Sequence, residues 1–141
     1  MERTASAIWK GGLKDGKGEF SARSGVFSHT PYSFKTRFEG APGTNPEELI
    51  AAAHASCFSM ALSAQLGAAN LTAESINTTA NLKMEKLDAG WAITTIHLDV
   101  KAKVPGADDA AFQKAAGDAK AGCPVSKVLK ADITMTATLE K

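Results

Sequence analysis

The sequence predicts an α+β fold, antiparallel sheet with segregated helices, and three observations predict it. Residues 76–84, 92–104 and 133–139 alternate with unusual regularity, Ala92, Thr94, Ile96, Leu98, Val100, Ala102 and Val104 sharing one face of the second run, as strands with one buried face require. A run rich in Ala, Leu, Met and Ser from 49 to about 66 lacks that alternation and reads as helix. Strands and helices come in blocks rather than in a repeating strand–helix order, which separates α+β from a wound parallel fold.

The first 40 residues read as a β meander. Asp15-Gly16 marks a turn between 7–10 and 18–23. Tyr32, Phe34, Thr36 and Phe38 alternate with Ser33, Lys35, Arg37 and Glu39, predicting a further strand with Arg37 on its polar face. The long helix then starts at a clear signal. Asn45 (or Thr44) can cap it, Pro46 suits the first helical position, and Glu47 and Glu48 complement the helix dipole. Leu49, Ala53, Met60, Ala61 and Ala64 trace one face, and the other faces are nearly as apolar, so burial on more than one side is expected.

After the turn at Asp88-Ala89-Gly90, the two long alternating strands predict a hairpin. Pro105-Gly106 ends the second strand, and 108–121 reads as a helix closed by Gly122. Pro124 opens a short helix, which places Cys123 at its N-cap.

With 141 residues the chain is expected to form a single domain, 1–141. Its 44% hydrophobic content excludes wholesale disorder, and a formal charge of +1 argues against a nucleic-acid binder acting through a basic field. The opening MERTASAIWKGG has no apolar signal-peptide core. His54, Gln65 and several Ser dilute the apolar stretch 49–69, which is expected to fall short of a membrane span. A cytoplasmic protein without membrane or nucleic-acid partners is the expectation.

The chemistry centres on two cysteines, Cys57 and Cys123. A reactive cysteine needs something that lowers its pKa. Cys123 has a helix N-terminus behind it. Cys57 lies mid-helix, roughly 15 Å along the axis from Glu47 at about 1.5 Å per residue, where apolar surroundings raise a thiol pKa. An active Cys57 therefore requires an imported cation. Of three arginines, Arg37 stands just upstream of the helix, and Glu47 is a carboxylate that could steer it. Blander readings compete: a cysteine in an Ala-rich helix usually just packs, and a strand arginine is usually solvated. His54 and Cys57 at i, i+3 permit a metal pair or a dyad, but there is no CxxC and no second His in spacing.

Together, TRFEG at 36–40, GTNPEELIAAAHASCFSMALS at 43–63 and AGCPVSKVLKA at 121–131 closely resemble the OsmC/Ohr family of thiol peroxidases, within it the osmotically inducible protein C branch. The resemblance runs over nearly the whole chain. It implies an intertwined homodimer with sheets wrapped around central helices, and reduction of organic hydroperoxides and hydrogen peroxide in oxidative and osmotic stress defence. By motif, Cys57 matches the peroxidatic cysteine, Cys123 the resolving cysteine, Arg37 the activating arginine and Glu47 the carboxylate that holds it. No metal or cofactor is implied, and an external dithiol must reduce the Cys57–Cys123 disulfide, since no third cysteine exists. Phe38, Leu49, Met60 and Phe112 are apolar residues expected near the substrate pocket.

Glu47 and Cys57 cannot touch across ten residues of one helix. Antiparallel packing of two such helices would set Glu47 of one subunit beside Cys57 of the other, which predicts sites shared between subunits. The competing expectations are a non-enzymatic stress-responsive dimer binding a small apolar ligand, and a metal site of His54, Cys57 and Cys123.

Overall fold

The computed structural model describes residues 1–141. The chain divides into two compact units, Met1–Leu49 and Ile50–Lys141.

In the first unit β1 (Ala5–Lys10), β2 (Lys17–Ala22) and β3 (Thr30–Tyr32) form an antiparallel meander in sequence order. The β1–β2 turn is tight at Gly16, where a Cβ would stand 2.3 Å from the Gly12 carbonyl oxygen. The expected strand through Phe38 is corrected: 34–38 is a one-turn helix, α1 (Phe34–Phe38). Ser33 Oγ accepts from the Thr36 amide at 3.3 Å, and Thr36 Oγ1 accepts from the Ser33 amide at 2.9 Å. This reciprocal cap outweighs the two-residue alternation. The Phe34 and Phe38 rings, four apart, suit a helix equally well and lie 4.8 Å centroid to centroid.

The long helix α2 (Pro46–Ala68) begins in the first unit and continues through the second. Asn45 is its cap, with Oδ1 accepting from the Glu48 amide at 2.8 Å. In the second unit follow β4 (Ser75–Leu87), β5 (Gly90–Lys103), α3 (Asp109–Gly122), α4 (Pro124–Val128) and β6 (Asp132–Glu140). β5 is central, antiparallel to β4 and parallel to β6. The expectation of purely antiparallel sheet is thus corrected. α3 and α4 form the crossover that returns the chain to the same end of the sheet, as a parallel neighbour requires.

Phe58, Leu62, Leu66, Ile96, Leu98, Val100, Phe112, Ala116, Ala119 and Cys123 are the fully buried centre of the second unit's core. Two expected faces shift. The core stripe of α2 is His54, Phe58, Leu62 and Leu66, whereas Ala53, Met60 and Ala64 are exposed. A bulge between Lys83 and Met84 moves the β5 register so that Ile93, rather than Ala92 or Thr94, packs on the core. By length and mean hydropathy, 1.4 over 18 residues, α2 reaches the level of a membrane-crossing segment, contrary to the dilution expected. Its buried stripe instead joins the protein core.

Candidate active site

Two clusters carry the chemistry, one in each unit. The first is built where α1 meets the start of α2. Asn45 Nδ2 donates to the Thr36 carbonyl at 3.2 Å while its Oδ1 caps α2, so one side chain ties the two helix ends together. That brings Arg37 against Glu47. Arg37 Nε donates to Glu47 Oε1 at 2.9 Å and to Oε2 at 3.2 Å, and Nη2 donates to Oε1 at 2.6 Å. A forked pair of this kind fixes the plane of the guanidinium. The Glu47 side chain is 12% exposed and that of Arg37 39%; the carboxylate is the enclosed anchor and the guanidinium the accessible end. The Phe38 ring centre lies 5.2 Å from Arg37 Cζ, a cation–π contact. Beside them opens a cleft of about 240 Å³ lined by Trp9, Leu13, Tyr32, Ser33, Phe34, Arg37 and Phe38, mostly apolar and aromatic, with one cation, two hydroxyls and an indole N–H.

The second cluster holds the thiols. Cys57 is on α2 and half-buried; Cys123 is fully buried between α3 and α4. The Cys123 amide donates to the Ala119 carbonyl at 2.9 Å and its carbonyl accepts from the Lys127 amide at 3.1 Å, so its backbone closes one helix and opens the next. Pro124 at the first helical position enforces the corner. Both thiols are free, and their sulfurs share a hydrogen bond at 2.9 Å. A disulfide needs roughly 2.05 Å, so bonding asks for a closure of about 0.9 Å.

Burial pushes the Cys57 thiol up, as does its contact with Cys123, against a smaller opposing hydrogen bond from the Val125 amide. Burial also acts to raise Cys123, but the hydrogen bond with Cys57, the amide and hydroxyl of Ser126 and the amide of Val125 outweigh it, and the net direction is down. None of these causes is a cation. Of the two thiols, Cys123 is therefore the one whose surroundings lower its pKa and Cys57 the one whose surroundings raise it.

His54 is fully buried. Its Nε2 lies 2.7 Å from Ser126 Oγ, and its Nδ1 has no partner. Burial lowers its pKa from the ordinary 6.5, which keeps the imidazole neutral. The unfolded chain binds a proton there more readily than the folded one, so His54 contributes stability above about pH 6.5 that is lost as pH falls through the depressed folded value. Urea midpoints measured from pH 8 to pH 5 should fall in the native sequence, and fall less in His54→Gln; equal slopes would contradict this account.

The remaining sequence-predicted residues are dispersed. Phe38 lines the Arg37 cleft and Leu49 lines a different one with Ala5, Ser6, Ala7, Phe20, Tyr32 and Pro46. Met60 stands 78% exposed. Phe112 is fully buried in the core. No group of three His, Cys, Asp or Glu side chains is arranged to hold a metal ion, and His54 is committed to Ser126 instead. Sequence reasoning missed Asn45 as a brace and Ser126 as the partner of His54; only Pro124, signalling a helix start after Cys123, pointed towards the second.

A family model for OsmC-like proteins matches residues 38–138. The Peroxiredoxin OsmC of Escherichia coli is 54% identical over 140 residues, covering 99% of this chain and 98% of its own length. An organic hydroperoxide resistance protein of Xanthomonas axonopodis pv. citri is 31% identical over 101 residues, 71% of this chain and 69% of that one. Among solved structures, an OsmC-like protein of unknown function from Vibrio cholerae superposes with a TM-score of 0.78 at 16% identity, covering 98% of this chain and 99% of the other. An organic hydroperoxide resistance protein of Bacillus subtilis does so with a TM-score of 0.71 at 24% identity, covering 96% and 98%. Family match, relatives and fold agree: the chain belongs to the OsmC-like family.

Proposed function

We propose that this protein is a cysteine-based peroxidase that reduces organic hydroperoxides, and hydrogen peroxide, at the expense of an external dithiol. The observation that carries the reading is the pair of free thiols 2.9 Å apart, one half-buried and one fully buried. The names of the relatives at 54% and 31% identity support the same chemistry.

In this reading the Cys57 thiolate attacks one peroxide oxygen. The O–O bond breaks, an alcohol leaves and Cys57 becomes a sulfenic acid. The Cys123 sulfur then displaces hydroxide, which departs as water, and the disulfide forms. Two electrons from the dithiol restore both thiols. Arg37 is the group that favours the thiolate of Cys57 and stabilises the departing oxygen; Glu47 holds it in place. The cleft beside Arg37, mostly apolar, favours an organic peroxide over the smaller hydrogen peroxide.

The second subunit is part of the proposal. The exposed face of α2 carries Ala52, Ala53, Ser56, Ser63 and Ala64, small side chains that let another backbone approach closely, together with the exposed apolar Met60. Two chains packed there antiparallel would bring Arg37 and Glu47 of one to the thiols of the other. Mixing Arg37→Gln with Cys57→Ser subunits tests this. Shared sites predict recovery of about a quarter of native activity, one intact site in each mixed dimer; no recovery would place each site within one chain.

The reading as a whole is tested by stopped-flow oxidation with cumene hydroperoxide and hydrogen peroxide, followed by reduction with several dithiols. Rapid formation of a Cys57–Cys123 disulfide with loss of peroxide is expected. Thiols that persist in excess peroxide would refute it. The protein is read as cytoplasmic.

A further inference from the structure

The contact between Cys57 and Cys123 is one of two polar contacts that join α2 to the start of α4. His54 and Cys57 stand three apart on α2, and Cys123 and Ser126 stand three apart where α4 begins. Residues at that spacing are neighbours on one face of a helix. The fold pairs them crosswise. The Cys57 and Cys123 sulfurs lie 2.9 Å apart, and His54 Nε2 lies 2.7 Å from Ser126 Oγ. The two contacts are rungs of one ladder, about one helical turn apart, and the peroxide chemistry uses only the sulfur rung.

Little else fixes the register of α4. It is a single turn, Pro124–Val128, and no side chain caps its start; a turn that short does not hold itself together in water. Val125 and Leu129 pack against the core, but apolar contact is non-directional and does not by itself fix a position along α2. The polar rung does. His54 is fully buried, its Nδ1 has no partner, and its Nε2 has Ser126 Oγ. Sliding α4 along α2 would leave both ring nitrogens and the enclosed hydroxyl unsatisfied, the unfavourable arrangement for buried polar groups.

We propose that His54 and Ser126 are positioning residues for the resolving step: their hydrogen bond holds α4 in the register from which Cys123 reaches the sulfenic acid of Cys57. The inference rests on the peroxidase reading for its place in the cycle. In that step the Cys123 sulfur bonds the Cys57 sulfur, the S–O bond of the sulfenic acid breaks, and hydroxide takes up the Cys123 proton and leaves as water. Cys123 is oxidised, and Cys57 is reduced from sulfenic acid to disulfide. Alignment governs the rate, because the attacking sulfur must stand in line with the departing oxygen. The step competes with a second peroxide, which takes Cys57 on to sulfinic acid. The first oxidation of Cys57 does not call on this register.

The first test uses no peroxide. Full-length protein equilibrated with mixtures of reduced and oxidised glutathione reports how well the fold presents the two thiols to each other. The Cys57–Cys123 disulfide should be about tenfold less favoured in His54→Leu and in Ser126→Ala, the scale of one hydrogen bond lost, which raises its potential by about 30 mV. His54→Leu combined with Ser126→Ala removes both polar partners and leaves neither orphaned, so it should fold. Its loss should again be about tenfold rather than about a hundredfold. Ser126→Thr keeps the hydroxyl and should stay within about threefold of native. Single or combined variants that titrate like the native protein would overturn the proposal, as would additive losses or a threonine variant that matches alanine. The second readout follows oxidation by cumene hydroperoxide. Cys57 should be oxidised at the native rate in His54→Leu, Ser126→Ala and their combination, while the sulfinic fraction found by mass spectrometry rises about tenfold. Sulfinic acid at the native level in those variants would also overturn it. A native protein that forms the disulfide in glutathione yet ignores hydroperoxide would instead refute the peroxidase reading alone.

Discussion

Cys57→Ser is expected to abolish hydroperoxide consumption, a loss of at least about 10⁴-fold, because removal of a nucleophile leaves only what binding and orientation contribute. The substitution falls on a half-buried position of α2 and should leave the fold intact. Its partner behaves differently. Cys123→Ser removes the resolving thiol but not the attacking one, so a first equivalent of peroxide should be consumed at close to the native rate. Without a sulfur 2.9 Å away, the sulfenic acid then persists and excess peroxide drives it irreversibly to the sulfinic acid. Mass spectrometry after one and after many equivalents separates the two variants. Equal, mild effects would contradict the assignment of roles.

Arg37→Gln is the second large effect. It removes the charge while leaving an amide of comparable reach, and Glu47 retains a hydrogen-bonding partner. The second-order rate constant for Cys57 oxidation should fall by about 10²–10³, the scale of losing one donor to developing negative charge. Thermal stability should change little, since the Arg37 side chain is 39% exposed and an ion pair that accessible adds little to folding. A rate within twofold of native would remove Arg37 from the mechanism. A large drop in stability would make the pair structural rather than catalytic.

Much of this was legible where local rules act alone. Period-two alternation located β4, β5 and β6, and the Asn45-Pro46-Glu47-Glu48 signal located the start of α2. The errors have identifiable causes. At 32–38, a Ser33–Thr36 cap of a few atoms overrode the alternation of Tyr32, Phe34, Thr36 and Phe38. In β5, a bulge near its start put Ile93 rather than Ala92 or Thr94 on the core, which alternation by itself cannot reveal, while Ile96, Leu98, Val100, Ala102 and Val104 face it as the alternation predicts. The parallel β5–β6 pairing depends on what lies between those strands rather than on either of them. On α2, an Ala-rich helix has no strong polar face, so the side that packs is decided by its partners.

Arg37 and Glu47 were legible as a pair because a charged residue just before a helix and a carboxylate in its first turn have few other partners. The His54–Ser126 contact was not. It joins residues 72 apart in sequence, and neither carries a local signal for the other.

The most direct test of the mechanism is the ionisation of Cys57 itself. In Cys123→Ser, where Cys57 is the single thiol, thiolate absorbance is followed against pH with and without Arg37→Gln. With Arg37 present the midpoint should lie below neutrality, despite the burial that raises this thiol; with Arg37→Gln it should rise above the ordinary cysteine value. Coincident midpoints in the two proteins would mean that the guanidinium does not carry the charge of Cys57, and the account would fail there.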